Sequence, residues 1–165
     1  MKSWLIVGGL AVLLTAAPVH AQESGIPVGS QAPAVQVNDL NGHPVSLNSY
    51  IGKKPVFLEV WATWCELCEQ LLPRVRQAVA QYGNQVKFLG VNVTVNQTPA
   101  KVERYLNKNK PGFQTLYDDQ GTSIRAYQVP STSYVVIVDR TVKVVYTGTG
   151  GTQNFDNVLR RVTRD

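Results

Sequence analysis

An α/β sandwich built on a mixed β-sheet is the fold class this sequence predicts, and three observations carry it. Pro55 through Trp61 is a nearly continuous apolar run, the pattern of a strand buried on both faces. Leu71, Leu72, Val75 and Val79 follow at helical spacing, and a second apolar strand pattern runs from Val86 to Val93. Late in the chain, Tyr134–Val138 and Val142–Tyr146 flank Asp139-Arg140-Thr141 and lead into a helix striped by Phe155, Val158, Leu159 and Val162. Strand–helix–strand order early and a hairpin plus helix late give a central mixed sheet flanked by helices. At 165 residues, 44% hydrophobic, the chain is long enough for one domain with its own core.

The elements follow in chain order. Lys2 precedes an apolar run from Trp4 to Ala17 with no charge, and Val19-His20-Ala21 supplies the small-x-small pattern of a cleavage site before Gln22. The run falls short of the ~20 residues that span a bilayer as a helix. Residues 1–21 therefore read as an export signal, with an uncleaved anchor as the alternative, and residues 22–165 as the folded domain. Ala34–Val37 and Val45–Leu47 flank Asn41-Gly42, which predicts an N-terminal β-hairpin. The long helix spans about Glu66 to Tyr82 and stops at Gly83-Asn84; a second covers Thr98 to Asn107 before Pro111-Gly112. No element is assigned between Gly112 and Val129.

The chemistry rests on the two cysteines, Cys65 and Cys68. They sit where the buried strand ends and the long helix begins. The first helical turn has unpaired N–H groups and positive potential, so a thiolate at Cys65 would be stabilised there and nucleophilic near neutral pH. Positions i and i+3 lie about 5–6 Å apart, within disulfide range. Cys68, one turn inward, would be the resolving thiol. A structural staple closing so small a loop would add little stability. A zinc site lacks ligands, since a cleaved chain keeps only His43, and reduced core cysteines suit an exported protein poorly. A redox pair is the leading reading.

Phe57-Leu58-Glu59-Val60-Trp61-Ala62-Thr63-Trp64-Cys65-Glu66-Leu67-Cys68 resembles the active-site segment of thioredoxin-fold proteins. With the leader and Val28-Gly29-Ser30-Gln31-Ala32-Pro33, the chain is most similar to the TlpA/ResA-like thiol-disulfide oxidoreductases over about residues 28–163. The resemblance implies a thioredoxin-like fold with the hairpin as an N-terminal extension. Pro73 matches the proline that kinks the family's active-site helix. Val129-Pro130-Ser131-Thr132 matches the cis-proline loop, in which the residue before the proline pairs with an extended client. It implies catalytic Cys65, Cys68 and Glu59, and a client surface of Trp64, Glu66, Leu67, Val129 and Pro130.

Glu59 is a carboxylate inside an apolar strand. Burial raises its pKa toward the neutral range, where it can take the proton of Cys68. Pairing with a lysine such as Lys54 or Lys87 would make it merely structural. Trp61 reads as scaffold and Trp64 as an exposed platform. Leu67 replaces the proline the family usually carries before its second cysteine, which leaves redox potential and direction open. Glu66 opposes thiolate formation at Cys65, which argues against a strong oxidant.

The function expected is reduction of disulfides in exported clients, with cytochrome c maturation among the candidates. The alternatives are a disulfide-forming oxidant or isomerase, and a redox-inert binding module or copper chaperone. The redox disulfide itself is the only expected cofactor, with no metal. Expected partners are disulfide-containing exported proteins and a membrane electron donor of the DsbD/CcdA type, in the bacterial periplasm; membrane contact would come only through an uncleaved leader. A net charge of +5 spread over the chain suits a solvated face rather than nucleic acid. Thr147-Gly148-Thr149-Gly150-Gly151 lacks a phosphate loop's lysine and reads as a flexible connection. Peroxiredoxins share the fold class but need a threonine and a proline where Ala62 and Leu58 stand.

Overall fold

β3 (Val56–Trp61), fully buried along its length, is the centre of the molecule. The computed structural model describes residues 25–164, so the expected leader and its cleavage site lie outside the described residues. From β3 the chain runs through α1 (Glu66–Tyr82) to the parallel strand β4 (Lys87–Val93), then through α2 (Pro99–Asn109) to the parallel strand β5 (Gln114–Asp118). A short α3 (Thr122–Ala126) leads back to β6 (Tyr134–Val138), antiparallel to β3 on its other side, and β7 (Val144–Thr149) closes that edge before α4 (Asp156–Val162). The hairpin β1 (Gln36–Asn38) and β2 (Pro44–Ser46) extends the opposite edge through β5. The seven-stranded order is β2-β1-β5-β4-β3-β6-β7, the expected mixed sheet with its N-terminal hairpin.

Alternation along each strand divides the core by face. Leu58 and Val60 point with Leu89, Val91, Tyr134 and Val136 into one cluster, closed by Val35, Leu47 and Tyr127. Phe57 points the other way, with Phe88, Ile137, Leu71 and Val75 of α1, and Leu159 of α4. Trp61, on that same face, packs with both cysteines and Val102 of α2.

β5 and α3 were not legible. β5 is short, with a threonine and an aspartate among its buried residues. α3 is little more than one turn and is held by Asp118, whose carboxylate accepts from the N–H groups of Thr122 (2.8 Å), Ser123 (2.9 Å) and Ile124 (3.2 Å). β7 starts two residues later than expected, because Val142 takes a left-handed backbone (φ 70°). Asp139 Oδ1 accepts from Thr141 N and Lys143 N, and this carboxylate turn absorbs Val142. Asp39 builds the same turn in the first hairpin, where Gly42 (φ 84°) holds the left-handed position without steric cost. The glycine-rich segment also departs from expectation: β7 runs through Thr149, so only its last residues are connection.

Candidate active site

β3 delivers the chain to Ala62, and a tight turn brings in Cys65, whose N–H donates to Ala62 O at 3.2 Å. Cys65 is the N-cap of α1, with extended backbone (φ −84°, ψ 104°) and Sγ accepting the Cys68 N–H at 3.0 Å. The two cysteines form a disulfide with Cα atoms 5.2 Å apart. Both are buried, whereas Glu66 and Leu67 between them face solvent. A helix N-terminus with an N–H aimed at sulfur stabilises negative charge on Cys65 when the disulfide opens. Glu66 and Glu69 in the same turn oppose that effect, though they complement the helix dipole. Pro73 lies inside α1, and the helix continues past it to Tyr82.

Glu59 is 2% exposed, in a cross-strand row with Gly90 and Val135. It shares the sheet face of Phe57 and Trp61, the face that α1 covers. Neither candidate lysine reaches it: Lys54 Nζ donates to Asn84 O and Lys87 Nζ to Gln114 Oε1. Desolvation therefore acts on the carboxyl unopposed and raises its pKa to about 8. The carboxyl thus lies on the sheet face it shares with Trp61, which packs with the cysteines, and not in an ion pair with either lysine.

Trp64 is 48% exposed, and its indole Nε1 donates to Val95 O at 2.8 Å. With Val95, Ile124, Val129 and Pro130 it lines an open, largely apolar groove of about 610 Å³ beside the cysteines' turn. Trp64, Val129 and Pro130 thus meet in one place; Leu67, 44% exposed, and Glu66 stand at the surface of the cysteine turn and are not among its lining residues. The resemblance implies a cis bond at Pro130, and the structure corrects this: the described residues contain no cis peptide bond. The loop turns by left-handed residues at its two ends, Gln128 (φ 50°) and Ser133 (φ 62°), which reverse the chain without a cis proline. Trp61 is core, its ring centroid 5.1 Å from that of Tyr105 in a tilted arrangement. Among the described residues no group of three or more His, Cys, Asp and Glu side chains gathers to hold a metal.

The profile of the AhpC/TSA family matches residues 28–147. The chain belongs to the AhpC/TSA family. This family member is 31% identical over 144 residues to the thiol-disulfide oxidoreductase ResA of Geobacillus kaustophilus, covering 86% of this chain and 81% of the relative. A Chlorobium tepidum structure assigned as the thiol:disulfide interchange protein DsbE superposes with a TM-score of 0.70 at 25% identity, over 82% of this chain and 94% of the other. The thioredoxin domain of a thiol-disulfide oxidoreductase from Bacteroides vulgatus gives a TM-score of 0.72 at 21% identity, over 83% of this chain and 99% of the other, and supports the fold alone. The AhpC/TSA member is an enzyme, a thiol-disulfide oxidoreductase of thioredoxin-like fold, and the Cys65–Cys68 disulfide fits its redox-active centre.

Several residues around the centre escaped the sequence reading. Asn92 is fully buried beside Trp61, and its Nδ2 donates to Trp61 O and to Gln97 Oε1, both at 3.4 Å. Gln97 Oε1 also accepts the Thr63 N–H at 3.1 Å, one residue before Trp64. On the far side, Gln153 Nε2 donates to Ser133 O at 2.8 Å and Gly150 O at 2.7 Å. The only sequence signal was a polar residue in an apolar strand for Asn92; both glutamines lie in loops, where an amide carries no pattern.

Proposed function

We propose that this protein is an exported reductase of protein disulfides, and the observation that carries the reading is the Cys65 sulfur capping α1 at the end of the strand that buries Glu59 without a lysine partner. In the reduced enzyme the Cys65 thiolate attacks a client disulfide. One client sulfur leaves as thiolate, and Cys65 joins the other as a mixed disulfide. Glu59, in its ionised form, takes the proton of Cys68, whose thiolate attacks Cys65 Sγ. This releases the second client thiolate and leaves the Cys65–Cys68 disulfide; two electrons have passed to the client. A carboxyl with a pKa near 8 suits this role, because its proton affinity lies close to that of a thiol and the proton passes between them at little cost. Trp64, Val129 and Pro130 receive the client in the apolar groove, with Glu66 and Leu67 at the rim of the cysteine turn.

The apolar leader supports export to an extracytoplasmic compartment, where client disulfides persist. No helix of the described residues is long and apolar enough to cross a membrane. Recharging falls to a membrane donor of the DsbD/CcdA type, and clients include cytochrome c precursors or other exported proteins. Glu66 in the turn favours reduction over oxidation, placing the potential nearer the thioredoxin value of about −270 mV than the DsbA value of about −120 mV. The purified protein should reduce insulin, and Cys68→Ala should trap clients at Cys65 as mixed disulfides. A potential above about −170 mV, between those references, would overturn the reductase direction. Glu59→Gln should move the pH dependence of reduction; an unmoved profile removes Glu59 from the proton path.

A further inference from the structure

The catalytic turn and the client loop are each tied to the scaffold by one glutamine. Gln97 and Gln153 lie in loops, yet each is only 8% exposed. Their amide orientations are fixed by their partners. The Thr63 N–H can bond only to an oxygen, so Gln97 Oε1 faces it, while Nε2 donates to Asn96 O at 2.9 Å. The Ser133 and Gly150 carbonyls can accept only from a nitrogen, so Gln153 Nε2 faces both, while Oε1 takes the Tyr146 hydroxyl at 3.3 Å.

The two straps reach different halves of the site. Gln97 grips the backbone of Thr63, two residues before Cys65, and its loop grips Trp64 through Val95 O. Gln153 grips Ser133, the fully buried left-handed residue that ends the Val129–Thr132 loop. Ser133 Oγ donates to Gly150 O at 3.1 Å, and Gly150 N to Ser133 O at 3.2 Å, closing a knot between the loops flanking β6 and β7. Gly151 sets this knot against the cysteine helix. A Cβ there would lie 2.6 Å from Gln70 Cβ and 3.2 Å from Leu67 O, the carbonyl between the two cysteines. The segment Thr147–Gly151 is thus a packed buttress rather than a flexible connection.

We propose that Gln97 and Gln153 are positioning residues with divided labour: Gln97 sets the reactivity of Cys65, and Gln153 sets the affinity for the client. The second half rests on the reading that the Val129–Thr132 loop receives the client. Neither glutamine touches the reacting sulfurs; each acts through a backbone that does the work.

Methionine has nearly the shape of glutamine without its amide, so Gln97→Met and Gln153→Met isolate the hydrogen bonds. Two readouts separate them: the pH profile of Cys65 alkylation by iodoacetamide in the reduced protein, and KM against kcat for insulin reduction. Gln97→Met should move the alkylation midpoint upward by about half a pH unit or more, because the turn no longer holds Cys65 over the helix N-terminus, and leave KM within about twofold. Gln153→Met should raise KM about five- to tenfold with the alkylation midpoint unmoved. If a methionine variant fails to fold, alanine replaces it and removes the same hydrogen bonds: Gln97→Ala should move the midpoint upward, and Gln153→Ala should raise KM with the midpoint unmoved. Equal changes in both readouts for both variants, or none, overturn the division. A wild-type protein that leaves insulin intact overturns the reductase reading instead, and the alkylation profile still tests Gln97.

Discussion

The two faces of β3 are equally buried and differ in everything else. One face presents Leu58 and Val60, which join Leu89, Val91, Tyr134 and Val136 in a dry cluster of side chains. The other presents Phe57, Glu59 and Trp61, and beside them across β4 and β5 lie Gly90, Asn92, Thr115 and Tyr117. Among the described residues, the buried side-chain polar atoms without a hydrogen-bond partner are Trp61 Nε1, Thr63 Oγ1, Asn92 Oδ1 and Thr115 Oγ1, all on or just beyond this second face. Each such orphan costs about 1–3 kcal/mol. The dry face stabilises the sheet, and the polar face spends part of that stability on an environment in which a carboxyl titrates near neutrality.

Substitutions on each face can break this contrast. Leu58→Ala should destabilise by about 2–5 kcal/mol in urea unfolding, the usual cost of a cavity in a dry core, and leave insulin reduction per folded molecule unchanged. A fall in specific activity would mean that the faces are coupled. Glu59→Gln tests the polar face through pH. The folded carboxyl has its pKa raised from 4.5 to about 8, so between those values the folded state holds a proton that the unfolded state lacks. Wild-type stability should therefore fall as pH rises through this window, by about 1.4 kcal/mol per unit, and stop falling above pH 8. The Gln variant should stay flat; a sloping variant would put the pH dependence elsewhere.

Gly90→Ala should cost about 1–3 kcal/mol, because its methyl would meet the Phe113 ring and sit 2.7 Å from Trp61 Nε1. Since Gly90 neighbours Glu59 across the strands, the same variant should perturb the Glu59 slope; an undisturbed slope would show that the carboxyl and the indole occupy separate environments. Smallest is Thr115→Val, which removes an orphan hydroxyl at constant shape and should stabilise by about 1 kcal/mol in the same unfolding assay. A loss instead would show that the hydroxyl has a partner in solution, and that the polar face is better satisfied than its side chains alone allow.

What was legible in the sequence was whatever a period or a local motif encodes. β3 announced itself as an apolar run, α1 as a repeat ending at Gly83, the first hairpin as Asn41-Gly42, and the redox pair as two cysteines at a strand-to-helix junction. Residues whose role depends on a distant partner stayed silent. Asp118 looks like an ordinary loop acid until it caps α3, and Val142 like a strand residue until Asp139 bends the chain around it. Pro130 drew attention as a proline, yet left-handed Gln128 and Ser133 shape its loop.

The sequence by itself determined the fold class and the cysteine pair of the redox centre, because apolar periodicity and three-residue spacing are local properties of the chain. Only the tertiary structure decided that Glu59 lacks a counter-ion, that Trp64 and Pro130 share a groove, and that Gln97 and Gln153 strap the two halves of the site. Each of these depends on which groups meet across long separations in a low-dielectric interior, where a carboxyl without a partner or an amide with two sets the chemistry.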